Sequence, residues 1–126
     1  MLRNYFAATV MLSGLALIAG CSSSRDVEVS GKVSAGSVSS EITLEFFDVN
    51  GSDKTSVHTA KLGDDGSFKE TVSIEGDEVL VRAIADADGN AKCTEGEQWG
   101  EASAKISDDD KAGPIEVALS LAACPK

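Results

Sequence analysis

The chain has 126 residues, with 11 Lys and Arg, 21 Asp and Glu and one His, and this length fits a single domain. Without residues 1–20, which carry one charge, Arg3, 10 basic and 21 acidic residues remain, a net charge of −11. Such an acidic chain argues against nucleic acid as a partner, because nucleic-acid binding requires Lys and Arg opposite the phosphates. The later aromatic residues are too few for an obvious platform on which bases or sugar rings could stack. They are Phe46, Phe47, Phe68 and Trp99.

The chain starts with a short basic segment, Met1–Asn4, followed by an uncharged, apolar stretch from Phe6 to Leu17. A membrane-spanning helix needs about 20 apolar residues, so this stretch is too short to be one. A basic start followed by a short apolar run is typical of a cleaved export signal. We therefore predict a signal helix within residues 1–20 that is removed from the mature protein.

The end of this segment, Ile18-Ala19-Gly20-Cys21, resembles the lipobox of bacterial lipoproteins. In that family the signal peptidase cuts before the cysteine, which becomes lipidated. The resemblance thus implies that Cys21 is the first mature residue and that its acyl chains hold the protein on a lipid bilayer. An ordinary cleaved signal, or a membrane anchor with an incidental cysteine, is the alternative.

The residue after the cysteine is Ser22. In lipoproteins an Asp at that position typically retains the protein in the inner membrane, so the resemblance implies the outer membrane of a Gram-negative envelope, facing the periplasm or the cell surface. Residues 21–26 then comprise the lipidated Cys21 and a short polar tether. The folded domain is predicted to span residues 27–126.

Two further cysteines, Cys93 and Cys124, remain once Cys21 is assigned to lipid. In an oxidising compartment, two cysteines in a small domain favour one disulfide. Neither belongs to a Cys-x-x-Cys motif, and the single His58 is a poor partner for a zinc site. We predict a structural disulfide between Cys93 and Cys124, and an exposed strand position for His58.

After residue 26, short apolar runs with a period of two alternate with turn residues, a pattern typical of a β-sandwich. The clearest run is Ile115 to Leu121. Val79 to Ala85 is apolar on both faces, which predicts a central and well-covered strand, and the weaker run from Thr55 to Leu62 predicts an edge strand. The predicted strands lie near 27–33, 42–46, 55–62, 68–74, 79–85, 102–106 and 115–121.

Three segments of the predicted domain, Val29–Val33, Asp65–Phe68 and Glu75–Ala83, resemble carboxypeptidase-regulatory-like (transthyretin-like, prealbumin-type) domains. That family implies a non-enzymatic accessory or binding role. A generic immunoglobulin-like arrangement of the strands is the open alternative. The predicted fold is all-β: a single antiparallel sandwich, immunoglobulin-like or prealbumin-like, of about seven strands.

One polar segment, residues 86–97, has the oxygen-bearing residues of a calcium loop. An EF-hand-type loop supplies ligands from positions 1, 3, 5, 7, 9 and 12. The sequence departs from this pattern at position 6, where Ala91 replaces the usual Gly, although Gly89 could provide the bend. A solvated hairpin tip is the alternative. Counted from the first aspartate, the candidate ligands are Asp86, Asp88, Asn90, the carbonyl of Lys92, Thr94 and Glu97.

No catalytic signature is evident, so we predict that the protein is not an enzyme but a membrane-anchored binding or structural module, with Ca²⁺ as a candidate structural ion. Its other partner would be an envelope protein. The first alternative is a calcium-dependent adhesion or assembly factor whose Ca²⁺-ordered loop binds a partner protein. The second is an enzyme or enzyme inhibitor that uses the acidic loops. Trp99, which follows the calcium loop, is predicted to plug the core.

Overall fold

The computed structural model describes residues 24–34, 41–90 and 92–125. The predicted export signal and Cys21 lie outside these residues. Within them, no helix is long and apolar enough to cross a bilayer. The strands are β1 (Arg25–Ser34), β2 (Ile42–Asn50), β3 (Asp53–Lys61), β4 (Ser67–Ile74), β5 (Glu78–Ala85), β6 (Gln98–Lys105), β7 (Lys111–Ala118) and β8 (Ser120–Leu121).

The strands form two sheets, which confirms the predicted all-β sandwich. One is three-stranded, in the order β4-β1-β7, and the other is five-stranded, in the order β3-β2-β5-β6-β8. Strand β5 has neighbours on both sides and β3 lies at an edge, as the sequence predicts. All pairs are antiparallel except β1 and β7, which run parallel.

Alternate residues of the strands fill the space between the sheets, because a strand directs successive side chains to opposite faces. Two glycines let the backbones approach closely. A Cβ on Gly31 would lie 2.0 Å from the Ile115 carbonyl oxygen, and one on Gly100 would lie 2.1 Å from that of Ala118. The core residues with the least exposure are Val27, Val29, Leu44, Phe46, Ile74, Val79, Val81, Ala83 and Val117.

The apolar run from Ile115 to Leu121 is two strands, although the sequence predicts one. The chain leaves the three-stranded sheet after Ala118 and joins the five-stranded sheet at Ser120. Between them, the Leu119 N–H donates to the Ser34 carbonyl at 3.0 Å. A period of two indicates which side chains are buried but not which sheet each residue joins.

The sandwich has two ends: we call the end at which β1 starts the near end, and the opposite end the far end. At the near end, Arg25 donates to the Gly76 carbonyl at 3.1 Å and forms an ion pair with Asp110 at 3.1 Å. At the far end, the Asp86 N–H donates to the Glu41 carbonyl at 2.9 Å. The two ends are separated by the length of β5, eight residues, or about 25 Å.

Edge strands β3 and β4 are joined across one side of the sandwich by His58 and Glu70, whose Nε2 and Oε1 atoms are 2.9 Å apart. Glu70 is on the inward face of β4, shared with Phe68 and Val72, which explains a charge in an otherwise apolar pattern. The His58 ring lies 5.5 Å from the Phe46 ring. The prediction of an exposed His58 was therefore wrong: it is half-buried and partnered.

Candidate functional site

The segment Asp86–Glu97, which we call the acidic loop, joins β5 to β6 at the far end of the sandwich. Its first and last residues are both carboxylates with little exposure, 9% for Asp86 and 7% for Glu97. The described part of the loop bends at Gly89, whose φ of +73° is in the left-handed region. This left-handed glycine lies two residues before the sixth position, at which an EF-hand places its glycine.

The Glu97 carboxylate holds the loop in shape through backbone N–H groups. Its Oε1 accepts from Thr94 N at 2.8 Å, and its Oε2 accepts from Ala87 N at 2.7 Å and Asp88 N at 3.4 Å. A buried carboxylate needs such donors, because burying an unpaired charge is costly. Glu97 therefore links the two ends of the loop.

The acidic loop brings three of the predicted ligands together. One carboxylate oxygen from each of Asp86, Asp88 and Glu97 lies within 4.8 Å of the other two. Carboxylate oxygens are the ligands that Ca²⁺ prefers, and they repel one another unless a cation or hydrogen-bond donors lie between them. These three residues, which we call the acidic triad, could therefore hold a metal ion.

The other three predicted ligands belong to the same hydrogen-bond network. The Asn90 N–H lies 3.2 Å from Asp86 Oδ1 and 3.2 Å from Asp88 Oδ1, and its side-chain amide donates to Thr94 Oγ1 at 3.2 Å. The Lys92 N–H donates to Asn90 Oδ1 at 2.9 Å. The network thus contains all six residues that the spacing selected, although for Lys92 the bond involves its N–H and not the carbonyl.

Asp88 is the exposed member of the triad. Its side chain accepts from the Thr94 hydroxyl at 2.9 Å. This hydrogen bond holds the pKa of Asp88 below its usual range. Lowering the pKa favours the ionised carboxylate, which is the form that binds a cation.

The disulfide between Cys93 and Cys124 is present, with Cα atoms 5.7 Å apart, and it confirms the predicted pairing. It attaches the acidic loop to the chain's C-terminal segment, where the Cys124 N–H also donates to Glu95 Oε1 at 3.4 Å. Trp99 binds the same segment, because its Nε1 donates to the Ala123 carbonyl at 3.1 Å. The disulfide and these hydrogen bonds connect the acidic loop, β6 and the C-terminal segment.

Trp99 does not plug the core, contrary to prediction. It is paired with Ile84 on the outer face of the five-stranded sheet and is partly exposed. On that face the Arg82 guanidinium lies 5.8 Å from the Trp99 ring and 4.8 Å from the Phe47 ring, and it forms an ion pair with Glu101 at 3.0 Å. The pattern of β5, apolar on both faces, was the signal that this outer face is covered.

No model of a known protein family matches the chain, and no curated protein is significantly similar to it in sequence. The resemblances to bacterial lipoproteins and to carboxypeptidase-regulatory-like domains therefore stay predictions from the sequence.

Proposed function

We propose that this protein is an exported lipoprotein, acylated at Cys21 and held on the outer membrane of a bacterial envelope. Its sandwich would act as a non-enzymatic binding or structural module whose far end contacts another envelope component. The observation that carries the proposal is the position of the acidic loop and the disulfide at the end opposite Arg25. Only residues 22–24, with a reach of about 10 Å, separate Cys21 from β1. The near end would thus stay at the bilayer while the far end points away from it.

The anchor is tested by expressing the full chain in a Gram-negative host and analysing the membrane fraction by mass spectrometry. We expect residues 1–20 to be absent and acyl chains to be attached to Cys21. A Cys21→Ser variant, which leaves Cys93 and Cys124 intact, should keep its leader and lose the acyl mass. An intact leader in the unmodified chain, with Cys93 and Cys124 free to react with an alkylating agent, would contradict the proposal.

The non-enzymatic part of the proposal is supported by the way the carboxylates of this region are used. Glu97 accepts three backbone N–H groups, and Glu101 is paired with Arg82. A general acid or base must reach a substrate proton, and neither residue is free to do so. These carboxylates therefore favour a role in shaping the far end over a role in catalysis.

The acidic triad would bind Ca²⁺ as a structural ion that fixes the acidic loop. Three carboxylates provide hard oxygen ligands, and Asn90 and Thr94 lie in the same network. Extracellular calcium modules bind at about 10⁻⁴–10⁻³ M, so such a site would be filled only where calcium is abundant. Export from the cytoplasm would supply that condition.

Thermal melts of the purified protein in Ca²⁺, in Mg²⁺ and in chelator test this site. We expect Ca²⁺ to raise the midpoint more than Mg²⁺, because the smaller ion demands a stricter octahedral geometry. Asp88→Asn should abolish the Ca²⁺ shift, whereas Asp64→Asn, an exposed aspartate in another turn, should preserve it. Equal midpoints in Ca²⁺ and Mg²⁺ would remove calcium from the proposal and leave the anchored module in place.

A calcium-dependent adhesion or assembly factor is the second candidate, and the acidic triad is the observation that favours it. In that case the ion would order the surface that a partner protein binds. Capture of one envelope protein from detergent-solubilised membranes, with binding lost in chelator and restored by Ca²⁺, would support this candidate. Capture that is unaffected by chelator would favour the simpler binding module.

A further inference from the structure

A cleft of about 300 Å³ lies beside the acidic loop at the far end. Residues of β2 and β3 form one side of it, and the acidic loop forms the other. Thr43 and Thr59 contribute hydroxyls, Glu41 and Lys61 are at the rim, and Asp86 is shared with the acidic triad. The volume is at the lower limit of small-molecule sites, which favours a ligand the size of one ring.

Thr43 is the residue that points to a ligand. It is 8% exposed and lines the cleft, yet its side chain has no hydrogen bond to any part of the chain that the structure describes. A buried hydroxyl without a partner destabilises a protein, since the group has lost its hydrogen bonds to water. Valine, of similar shape, would suit a buried strand position at least as well. A threonine here is explained if a ligand completes its hydrogen bonds.

The charges around the cleft narrow the class of ligand. At the rim, Lys61 Nζ lies 2.7 Å from Glu41 Oε1. The Glu41 carboxylate and the Lys61 ammonium offset each other, and a Ca²⁺ ion at the acidic triad would offset Asp86, so the cleft would attract neither an anion nor a cation. A neutral ligand remains, and it must both donate to carboxylates and accept from Lys61 and Thr43. Vicinal hydroxyl groups satisfy both requirements.

We propose that this cleft binds one ring of a neutral polyhydroxylated ligand, such as a pyranose sugar. Asp86 accepts from a ligand hydroxyl, and Thr43 exchanges hydrogen bonds with its neighbour on the ring. This inference deepens the proposed binding role and rests on the far end being the recognition surface. The described lining of the cleft contains no aromatic side chain, so the ring is held by hydrogen bonds without stacking. Weak binding, with a Kd of about 1 mM, is therefore expected.

The test is a ¹⁵N NMR titration of the purified protein in Ca²⁺-containing buffer. The probes are the methyl pyranosides of glucose, galactose and mannose. Tetrahydropyran serves as the control ring without hydroxyls, ethanolamine as the cation and acetate as the anion. At least one glycoside should produce saturable shifts at the amides of Thr43, Thr59 and Asp86, and the three controls should not.

Two variants separate the cleft from the rest of the sandwich. Thr43→Val should weaken glycoside binding at least tenfold while its melting temperature stays equal or rises, because the variant removes an unpartnered hydroxyl. Thr71→Val, at an exposed position on β4, is the matched control and should bind as the unmodified chain does. Thr59→Val, at the exposed edge of the cleft, should weaken binding without affecting folding.

The proposal fails if no glycoside gives saturable shifts, if ethanolamine or acetate binds the cleft instead, or if Thr43→Val binds as well as the unmodified chain. None of these outcomes bears on acylation of Cys21 or on the Ca²⁺ dependence of the melting temperature. Failure of the cleft is thus distinguishable from failure of the proposed function.

Discussion

Asp48 shows how one buried charge organises the near end. Its carboxylate is 9% exposed and accepts the Glu75 N–H at 2.8 Å and the Gly76 N–H at 2.9 Å. The bonds connect β2 to the turn between β4 and β5, and therefore the two sheets. An aspartate in an apolar strand is in this case the acceptor that a buried turn requires.

We predict that Asp48→Ala lowers the free energy of unfolding by about 1–3 kcal/mol, because two N–H groups lose their acceptor. Urea denaturation measures the change. Asp53→Ala, which removes an exposed carboxylate at the start of β3, is the control and should alter stability by less than about 0.5 kcal/mol. Equal losses in the two variants would show that Asp48 does not stabilise the turn.

Among the strands, β6 and β7 come closest where the two sheets meet, and Gly100 makes that approach possible. A Cβ added to Gly100 would lie closest to the backbone carbonyl oxygen of Ala118, and no side-chain rotation can move that atom. A larger residue would therefore push β7 away from β6.

Gly100→Ala is expected to destabilise the protein by about 1–3 kcal/mol, the usual cost of overpacking. Gly63→Ala is the matched control, since its Cβ would meet nothing closer than 3.4 Å. Chemical denaturation of both variants checks the prediction. Equal stability of Gly100→Ala and Gly63→Ala would show that the contact between β6 and β7 leaves room for a methyl group.

The disulfide connects a loop to the chain's C-terminal segment, with 31 residues of sequence separation. On the chain-entropy account, closing a loop of this size stabilises the fold by about 3.5–4 kcal/mol. The double variant Cys93→Ser, Cys124→Ser should lose stability by that amount in denaturant titrations. Dithiothreitol should bring the unmodified protein to the same value and leave the variant unchanged. Stability that is insensitive to both treatments would contradict the prediction.

At the scale of the whole molecule, acid should weaken the fold through aspartates in the turns. The Ser67 side chain, with the Ser67 N–H, holds the pKa of Asp65 below its usual range, and the Ser107 hydroxyl does the same for Asp109. A carboxyl whose pKa is lower in the folded state adds stability above its unfolded pKa, which is about 3.9. That stability is lost as the pH falls through the folded value.

We therefore expect the midpoint temperature of thermal unfolding to decrease as the pH is lowered beyond about 4. This decrease should be less steep in Ser67→Ala than in the unmodified chain. Ser73→Ala, an exposed serine on the same strand, should follow the unmodified chain. Circular dichroism melts between about pH 2 and pH 6 measure the slopes. An unchanged slope in Ser67→Ala would show that the pKa of Asp65 does not contribute.

The sequence predicted the sandwich and the strand positions, because burial on one face leaves a period of two that can be read directly. It also predicted the disulfide, and it selected the residues that meet in the acidic loop. The partners of His58 and Trp99 were missed, since Glu70 meets His58 only where the edges of the two sheets pack together, and Ala123 meets Trp99 only because β8 pairs with β6. The sequence did not indicate a role for Thr43, because its lack of a hydrogen-bond partner is evident only once the cleft between β2 and the acidic loop is formed.

Arg25 and the acidic loop lie at opposite ends of the sandwich, and this arrangement determines how the domain would respond to a pulling force. If the chain is held at its first residues and pulled at the far end, tension runs along the strands, perpendicular to the hydrogen bonds between them. Strand β1, paired on both sides, would then be loaded in shear, with the bonds to β4 and β7 sharing the force. If the proposed anchor at Cys21 is correct, such a domain should resist unfolding when a bound partner is pulled away from the membrane.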